Sequence, residues 1–151
     1  MPNLFNPDFL DFLHFLDKNN VDYLLVGGYA VILHGFVRTT GDLDIWLDKT
    51  DENYQKLKQA YIDFGAPIFP YQDFLSDKLN VWSIGVEPIK IEVLTHVDGL
   101  VFNESKNHCK WFEIERLKVP YIAFDDLIKN KLASGRYKDL ADIEQLKKKR
   151  D

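Results

Sequence analysis

Two aspartates separated by one leucine are the first residues in the sequence that could do chemistry. Asp42 and Asp44 lie in the stretch DLDIWLD, in which polar and apolar residues alternate with a period of two. That alternation is typical of a β-strand, on which residues i and i+2 project from the same face about 7 Å apart. Two carboxylates this close repel each other unless a cation or a proton lies between them. The pair therefore indicates either a solvated strand face or a site for a hard divalent cation such as Mg²⁺.

A third carboxylate lies on a later predicted strand. The segment NVWSIGVEPIKIEVLTHV predicts a hairpin with strands over residues 81–86 and 89–95. In the second strand Lys90 and Glu92 share one face, and the opposite face is apolar. If this strand lies beside the strand of the aspartates, Glu92 completes a site for one or two metal ions that stabilise the attacking and leaving oxygens of phosphoryl transfer. The alternative is that Glu92 is an ordinary exposed strand residue.

A glycine pair precedes the aspartates. Gly27 and Gly28 follow a predicted buried strand over residues 23–26, and YAVILHG, which ends at Gly35, predicts a short helix after them. Glycines at such a junction let the backbone approach a ligand closely, and a helix N-terminus offers free N–H groups to an anion. A tight turn between strand and helix would explain the pair equally well. Combined with the carboxylates, the pair predicts a phosphate cradle beside a metal site.

The elements that must position these residues begin with two helices that carry clear end signals. NPDFLDFLHFLDKNN predicts a helix with Asn6 as N-cap and Pro7 at its first position. KTDENYQKLKQAYIDFG predicts a helix that begins at Thr50 or Asp51 and ends at Gly65. Both helices have an apolar stripe, so we expect both to pack against the sheet.

The second half of the chain predicts a loop, strands and a helical end. Residues 66–78 indicate a loop with one helical turn, and one or two short strands follow the hairpin. Two C-terminal helices follow, with Asp125 as an N-cap and a break at residues 134–135. The order predicts an α/β or α+β fold with a small mixed sheet flanked by helices, in one domain over residues 1–151.

The composition argues against several classes of protein. The formal net charge of -5 disfavours broad, charge-driven binding to nucleic acid or anionic membranes. Cys109 is the one cysteine and fits a reducing compartment. The N-terminus lacks the features of a signal peptide, and no apolar run approaches the roughly 20 residues that span a bilayer. We therefore expect a soluble, cytoplasmic protein that does not associate with membranes.

The segment VGGYAVILHGFVRTTGDLDIWL, Val26 to Leu47, resembles the signature of the nucleotidyltransferase superfamily typified by DNA polymerase beta. That signature is an apolar residue, a glycine pair, a spacer, and two aspartates around an apolar residue, with a third acid on a later strand. Here thirteen residues separate Gly28 from Asp42. GFVRTTGDLDI further resembles the R-x-T-x-D-h-D lead-in of small bacterial stand-alone members, which include abortive-infection, toxin–antitoxin and lincosamide-type proteins.

The C-terminal segment DLIKNKLASGRYKDLADIEQL resembles the helix pair of the same small proteins. The matching residues are Lys131, Ala133, Arg136, Lys138, Asp139 and Asp142. From the residues alone, the three cations also fit a solvated helix face, with the two aspartates as partners within the helix.

The resemblance implies an activity and a set of roles. It implies that ATP, or another NTP, binds with one or two Mg²⁺ ions, and that a nucleoside monophosphate passes to an acceptor hydroxyl with release of pyrophosphate. Asp42 and Asp44 would hold the metal on the triphosphate, and Glu92 would hold a second ion or accept the hydroxyl proton. The residues that would contact the nucleotide are Gly27, Gly28, Arg38, Thr40, Lys131 and Arg136.

The acceptor is not readable from the sequence. A small molecule such as an antibiotic, a protein and a tRNA all suit the same three acids, because acceptor choice resides in loops. A second hypothesis is a weakly active or inactive nucleotide-binding module that regulates a cognate protein partner, as in a toxin–antitoxin pair.

Overall fold

The computed structural model of the chain describes residues 4–36, 41–78 and 80–150. Within these ranges the helices are α1 (Pro7–Lys18), α2 (Gly27–Leu33), α3 (Asp51–Phe64), α4 (Tyr71–Leu75), α5 (Phe102–Asn107), α6 (Phe124–Ser134) and α7 (Tyr137–Arg150). The strands are β1 (Tyr23–Val26), β2 (Asp42–Leu47), β3 (Val81–Val86), β4 (Ile89–Leu94), β5 (Lys110–Ile114) and β6 (Leu117–Tyr121). No helix in these ranges combines the length and the apolar character needed to cross a membrane.

The strands form one mixed sheet in the order β3-β4-β2-β1-β6-β5. β2 pairs antiparallel with β1 and parallel with β4, and β1 pairs parallel with β6. The two hairpins, β3–β4 and β5–β6, are antiparallel. The strand that carries the aspartates therefore lies between the strand that ends at the glycine pair and the strand that carries Glu92. The predicted α/β architecture with a mixed sheet flanked by helices is confirmed.

The helix ends follow the sequence signals for α1 and α3. Asn6 Oδ1 accepts a hydrogen bond from the Phe9 N–H at 2.9 Å, and Thr50 Oγ1 accepts one from the Asn53 N–H at 3.1 Å. α3 ends at Gly65, whose φ of 94° lies in the left-handed region that glycine adopts at little cost. These caps satisfy backbone groups that the first and last turns would otherwise leave unpaired.

Two apolar clusters cover opposite faces of the sheet. Leu43, Ile45 and Leu47 of β2 belong to the cluster beneath α1 and α3. Trp46 belongs to the other cluster, with residues of α5, α6 and α7, and contacts Phe102 edge to face with ring centroids 5.2 Å apart. Trp46 is therefore a packing residue. Because side chains alternate along a strand, the two aspartates of β2 project from the face that α5, α6 and α7 cover.

The sequence prediction is wrong at two elements. α6 begins at Phe124 with Ala123 as its N-cap, so Asp125 lies in the first turn and is not the cap. An acidic side chain in a first turn interacts favourably with the helix dipole, which gives much the same sequence pattern as a cap. α5 has no counterpart in the prediction, because its six residues lack a side-chain cap and are too few to show a helical period.

Candidate active site

Three carboxylates share one face of two neighbouring strands. The parallel register of β2 and β4 places Asp42 opposite Lys90 and Asp44 opposite Glu92. The side chains of Asp42 and Glu92 are 29% and 26% exposed, so both are partly withdrawn from water. The structure thus brings together the three acids that the sequence singles out.

Asp44 lies opposite Glu92 across the two strands. Burial, followed by the negative charges of Glu92 and Asp42, raises the pKa of Asp44 to about 7. The positive charge of Lys138 acts in the opposite direction. A proton on Asp44, or a bound cation, would relieve the repulsion between these carboxylates.

The first glycine of the pair makes room for Asp44. Gly27 has a φ of 70°, and a Cβ at this position would lie 2.0 Å from Asp44 Oδ2. Any other residue would therefore meet both the penalty for a left-handed backbone and a collision with the carboxylate. The sequence predicts a close approach of this backbone to a ligand, and the close neighbour in the structure is a side chain of the site itself.

Lys90 lies among the acids. Its ammonium is 2.9 Å from Glu92 Oε1 and 3.7 Å from Asp42 Oδ2. A hydrogen bond to Glu92 and the charges of Glu92 and Asp42 raise the pKa of Lys90, so the side chain is a cation. The Lys90 ammonium thus offsets part of the negative charge of the carboxylates.

The donor chemistry fits a hard cation, although no ready-made cage is present. Within residues 4–36, 41–78 and 80–150, no three His, Cys, Asp or Glu side chains are grouped so that they could hold a metal ion. Mg²⁺ does not require such a cage, because it is commonly held by one or two carboxylates together with substrate phosphates and water. Asp42 and Asp44 can supply that minimal set.

The carboxylates line a cavity of about 550 Å³. Its walls come from the glycine pair at the end of β1, the acids of β2 and β4, and the segment that joins α6 to α7. A cavity of this size lies in the range that small-molecule ligands occupy. The groups on its walls that carry charge or donate hydrogen bonds make it suitable for a charged, polar ligand.

Lys131 lies in the cavity wall, but its ammonium is engaged by two aspartates. The distances from Lys131 Nζ are 2.9 Å to Asp142 Oδ2 and 3.3 Å to Asp139 Oδ1, and the side chain is 8% exposed. Lys131 belongs to α6, whereas both aspartates belong to α7. The alternative of a solvated helix face with partners in the same helix is therefore wrong for Lys131.

Arg136 and Lys138 are the more accessible cations of the same wall. Arg136 Nε donates to Asp139 Oδ2 at 2.6 Å, yet the Arg136 side chain remains 63% exposed. Lys138 is exposed, lines the cavity, and is close enough to lower the pKa of Asp44. Arg38 and Thr40, the other two predicted nucleotide contacts, lie outside the described residues.

No role is predicted for Lys90, which contacts the acids, or for His96 and Asp98, which line the cavity. Lys90 and Glu92 share one face of β4, as the alternation of polar and apolar residues in that strand predicts. His96 and Asp98 follow β4 on the cavity wall, with His96 Nε2 and Asp98 Oδ1 3.0 Å apart. No ligand-like spacing in the sequence points to this pair.

The fold is similar to that of a solved structure. It matches a crystal structure from Thermotoga maritima described as a "putative nucleotidyltransferase", with a TM-score of 0.55 and 15% sequence identity, over 99% of this chain and 94% of that chain. At this identity the likeness concerns the fold alone.

Sequence comparison places the chain in a family. Residues 9–148 match the family described as "Nucleotidyltransferase of unknown function (DUF6036)", and the chain belongs to it. No curated protein matches the chain significantly.

Proposed function

We propose that the protein is a Mg²⁺-dependent nucleotidyltransferase that moves a nucleoside monophosphate from an NTP, ATP by preference, to an acceptor hydroxyl. One observation carries the proposal: the carboxylates of β2 and β4 and the glycine pair after β1 line the same cavity. Membership of a nucleotidyltransferase family and the matching fold support it. The acceptor is a small molecule, a protein or a tRNA.

Asp42 and Asp44 are the proposed metal ligands. Both project from one face of β2, and Asp44 is held against the backbone of Gly27. When bound, Mg²⁺ would neutralise charge on the triphosphate and on the transferred group. The aspartates would fix its position relative to the cavity.

Glu92 is the proposed proton acceptor. In the reaction a bond forms between the acceptor oxygen and the α-phosphorus, the bond between the α-phosphorus and the bridging oxygen breaks, and pyrophosphate leaves. The hydroxyl proton passes to the Glu92 carboxylate. The cross-strand position of Glu92 beside Asp44 supports this role, because the base must lie close to the metal-bound phosphate.

The proposed nucleotide contacts come from both sides of the cavity. Gly27 and Gly28 would present backbone N–H groups, and Arg136 and Lys138 would face the phosphates from the junction of α6 and α7. Lys131 would act by holding that junction, because its ammonium is already engaged by Asp139 and Asp142.

Two further contacts are proposed on the family resemblance alone. They are Arg38 and Thr40, which precede Asp42 in the sequence.

Label transfer tests the proposed reaction. The purified protein is incubated with Mg²⁺ and candidate acceptor fractions, with ATP labelled at either the α- or the γ-phosphate. We expect label from the α-position to appear in an acceptor and the γ-label to leave as pyrophosphate. Asp42→Asn and Asp44→Asn should abolish transfer, and Asp11→Asn, an exposed aspartate of α1, should retain it.

Two outcomes would point away from this function. Transfer of the γ-label would identify a phosphotransferase. Binding of ATP without any transfer, together with co-purification of a protein partner, would favour the regulatory module.

A further inference from the structure

Lys90 is held in the site by contacts with three carboxylates. Its Nζ lies 2.9 Å from Glu92 Oε1, 3.7 Å from Asp42 Oδ2 and 3.7 Å from Glu87 Oε1. Three quarters of the side chain is withdrawn from solvent, since it is 25% exposed. These contacts distinguish it from a surface lysine, which usually keeps its ammonium in water.

The backbone of Lys90 is fixed on both sides. Residue 90 is paired with Asp42 of β2 on one side and with Gly85 of β3 on the other. Gly85 has no side chain that could compete for the acids. The lysine stem therefore starts from a fixed point between two strands and reaches the carboxylates along its own face of the sheet.

The position of the ammonium divides the acids into two groups. Asp44 lies opposite Glu92 in the strand register, whereas the Lys90 ammonium contacts both Asp42 and Glu92. A second divalent ion held by Asp42 Oδ2 and Glu92 Oε1 would compete with this ammonium for the same two oxygens. Two positive ions at that point would repel each other strongly.

We propose that Lys90 is a resident cation of the site, which takes the place of the second metal ion between Asp42 and Glu92, so that the protein binds one divalent ion with its nucleotide. The inference rests on the proposed function, because it assumes that Asp42 and Asp44 hold a metal ion. Lys90 is then a positioning residue: it holds Glu92 and supplies a fixed positive charge on that side of the site.

A count of bound metal ions tests the inference independently of activity. The protein is mixed with Mn²⁺ and α,β-methylene-ATP, whose α–β bridge cannot be cleaved, and native mass spectrometry counts the ions in the complex. We expect one Mn²⁺ in the wild-type complex, two in Lys90→Met and Lys90→Gln, and one in Lys90→Arg, which keeps the charge. Lys56→Met removes a lysine that pairs with Glu52 in α3, and this control should bind one ion.

The melting temperature without metal gives a second readout. Lys90→Met leaves Asp42, Glu87 and Glu92 without the ammonium, so we expect it to melt at a lower temperature than Lys56→Met and to regain more stability from added Mn²⁺ than the wild type does. This comparison shows whether the positive charge of Lys90 counteracts the repulsion between the neighbouring carboxylates.

Different results would overturn the inference about Lys90 and the proposed function. Two ions in the wild-type complex, or one ion in a folded Lys90→Met complex, would overturn the inference and leave the proposed function standing. Absence of both nucleotide and metal from the wild-type chain would overturn the proposed function itself.

Discussion

At the scale of single residues, Gly27 and Asp44 depend on each other. The Asp44 carboxylate occupies the space that a side chain at position 27 would need, with 2.0 Å between Oδ2 and the position of a Cβ. Glycine is therefore needed at position 27 for two reasons: the Asp44 carboxylate leaves no room for a Cβ, and the φ of 70° is unfavourable for other residues. This contact gives a specific reason for the glycine at the first position of the short helix α2.

Gly27→Ala should damage the site, whereas Gly65→Ala should affect only stability. Both glycines have positive φ, but a Cβ at position 65 would meet nothing within 4 Å. We expect each variant to lose about 1 kcal/mol of unfolding free energy from the backbone term, and Gly27→Ala to lose a further 1–3 kcal/mol or so from the collision. Urea unfolding and calorimetric titration with ATP and Mg²⁺ would measure both effects. Equal nucleotide affinity in the two variants would show that the contact with Asp44 is unimportant.

Asp44→Asn should stabilise the metal-free protein and abolish the binding of ATP with Mg²⁺. The amide keeps the shape of the carboxyl group and removes a negative charge from beside Glu92 and Asp42, so the metal-free protein should gain about 1 kcal/mol at pH 8. ATP binding with Mg²⁺ should be lost. The control Asp11→Asn should lie within about 0.5 kcal/mol of the wild type, because Asp11 is exposed. A fall in the stability of Asp44→Asn would contradict the proposed repulsion.

Some residues of the site could be predicted from the sequence and others could not. Asp42, Asp44 and Glu92 follow from strand alternation, provided that their strands are neighbours. The burial of Lys131 could not be predicted, because an isolated lysine in a helix is normally exposed and its partners come from a different helix.

At the scale of elements, α6 and α7 are joined by a buried network of charges. Lys131 of α6 contacts Asp139 and Asp142 of α7, and Ser134 Oγ donates to Asp139 Oδ2 at 2.6 Å. Gly135, with a φ of 66°, ends α6 and allows the chain to turn. The network therefore fixes the part of the cavity wall that carries Arg136 and Lys138.

Lys131→Met should disrupt this junction. The substitution leaves Asp139 and Asp142 buried without their shared cation, which typically costs about 3–5 kcal/mol. Lys129→Met, an exposed lysine of the same helix, should change the unfolding free energy by less than about 0.5 kcal/mol. Chemical denaturation of the two variants would measure the difference, and similar values would show that the network contributes little.

The contribution of Asp139 to the free energy of unfolding should decrease as the pH falls. Burial raises the pKa of Asp139, but hydrogen bonds from Arg136 and Ser134 and the charge of Lys131 outweigh it, so the pKa lies below its ordinary value. The stability from this group is therefore fully present above the unfolded pKa, near 3.9, and is lost as the pH falls through the folded pKa. Asp139→Asn should be less stable than the wild type at pH 7, and the difference should shrink on acidification. A difference that stays constant with pH would contradict this account.

Local signals predict the helices and strands better than they predict their arrangement. Short segments of sequence are enough to predict the caps of α1 and α3 and the alternation of β2. The structure confirms these predictions. The sheet order is set by contacts between distant segments, since β2 separates β1 from β4 and β6 returns to the other edge of β1. No single segment encodes these neighbours.

At the scale of the whole molecule, the topology assembles the site. β2 is central and carries the aspartates. β1 lies on one side of it and ends at the glycine pair, and β4 lies on the other side and carries Glu92 and Lys90. The α6–α7 pair then packs on the same face and forms part of the cavity wall. Segments from the beginning, the middle and the end of the chain therefore contribute to one site.

Calorimetric titration of ATP into the protein, with and without Mg²⁺, tests the central claim most directly. We expect one ATP to bind per chain in the presence of Mg²⁺, and expect both removal of Mg²⁺ and the Asp42→Asn substitution to abolish binding. Binding that is unchanged without Mg²⁺ or in Asp42→Asn, or no binding to the wild-type chain, would contradict the assignment of these carboxylates to a metal–nucleotide site.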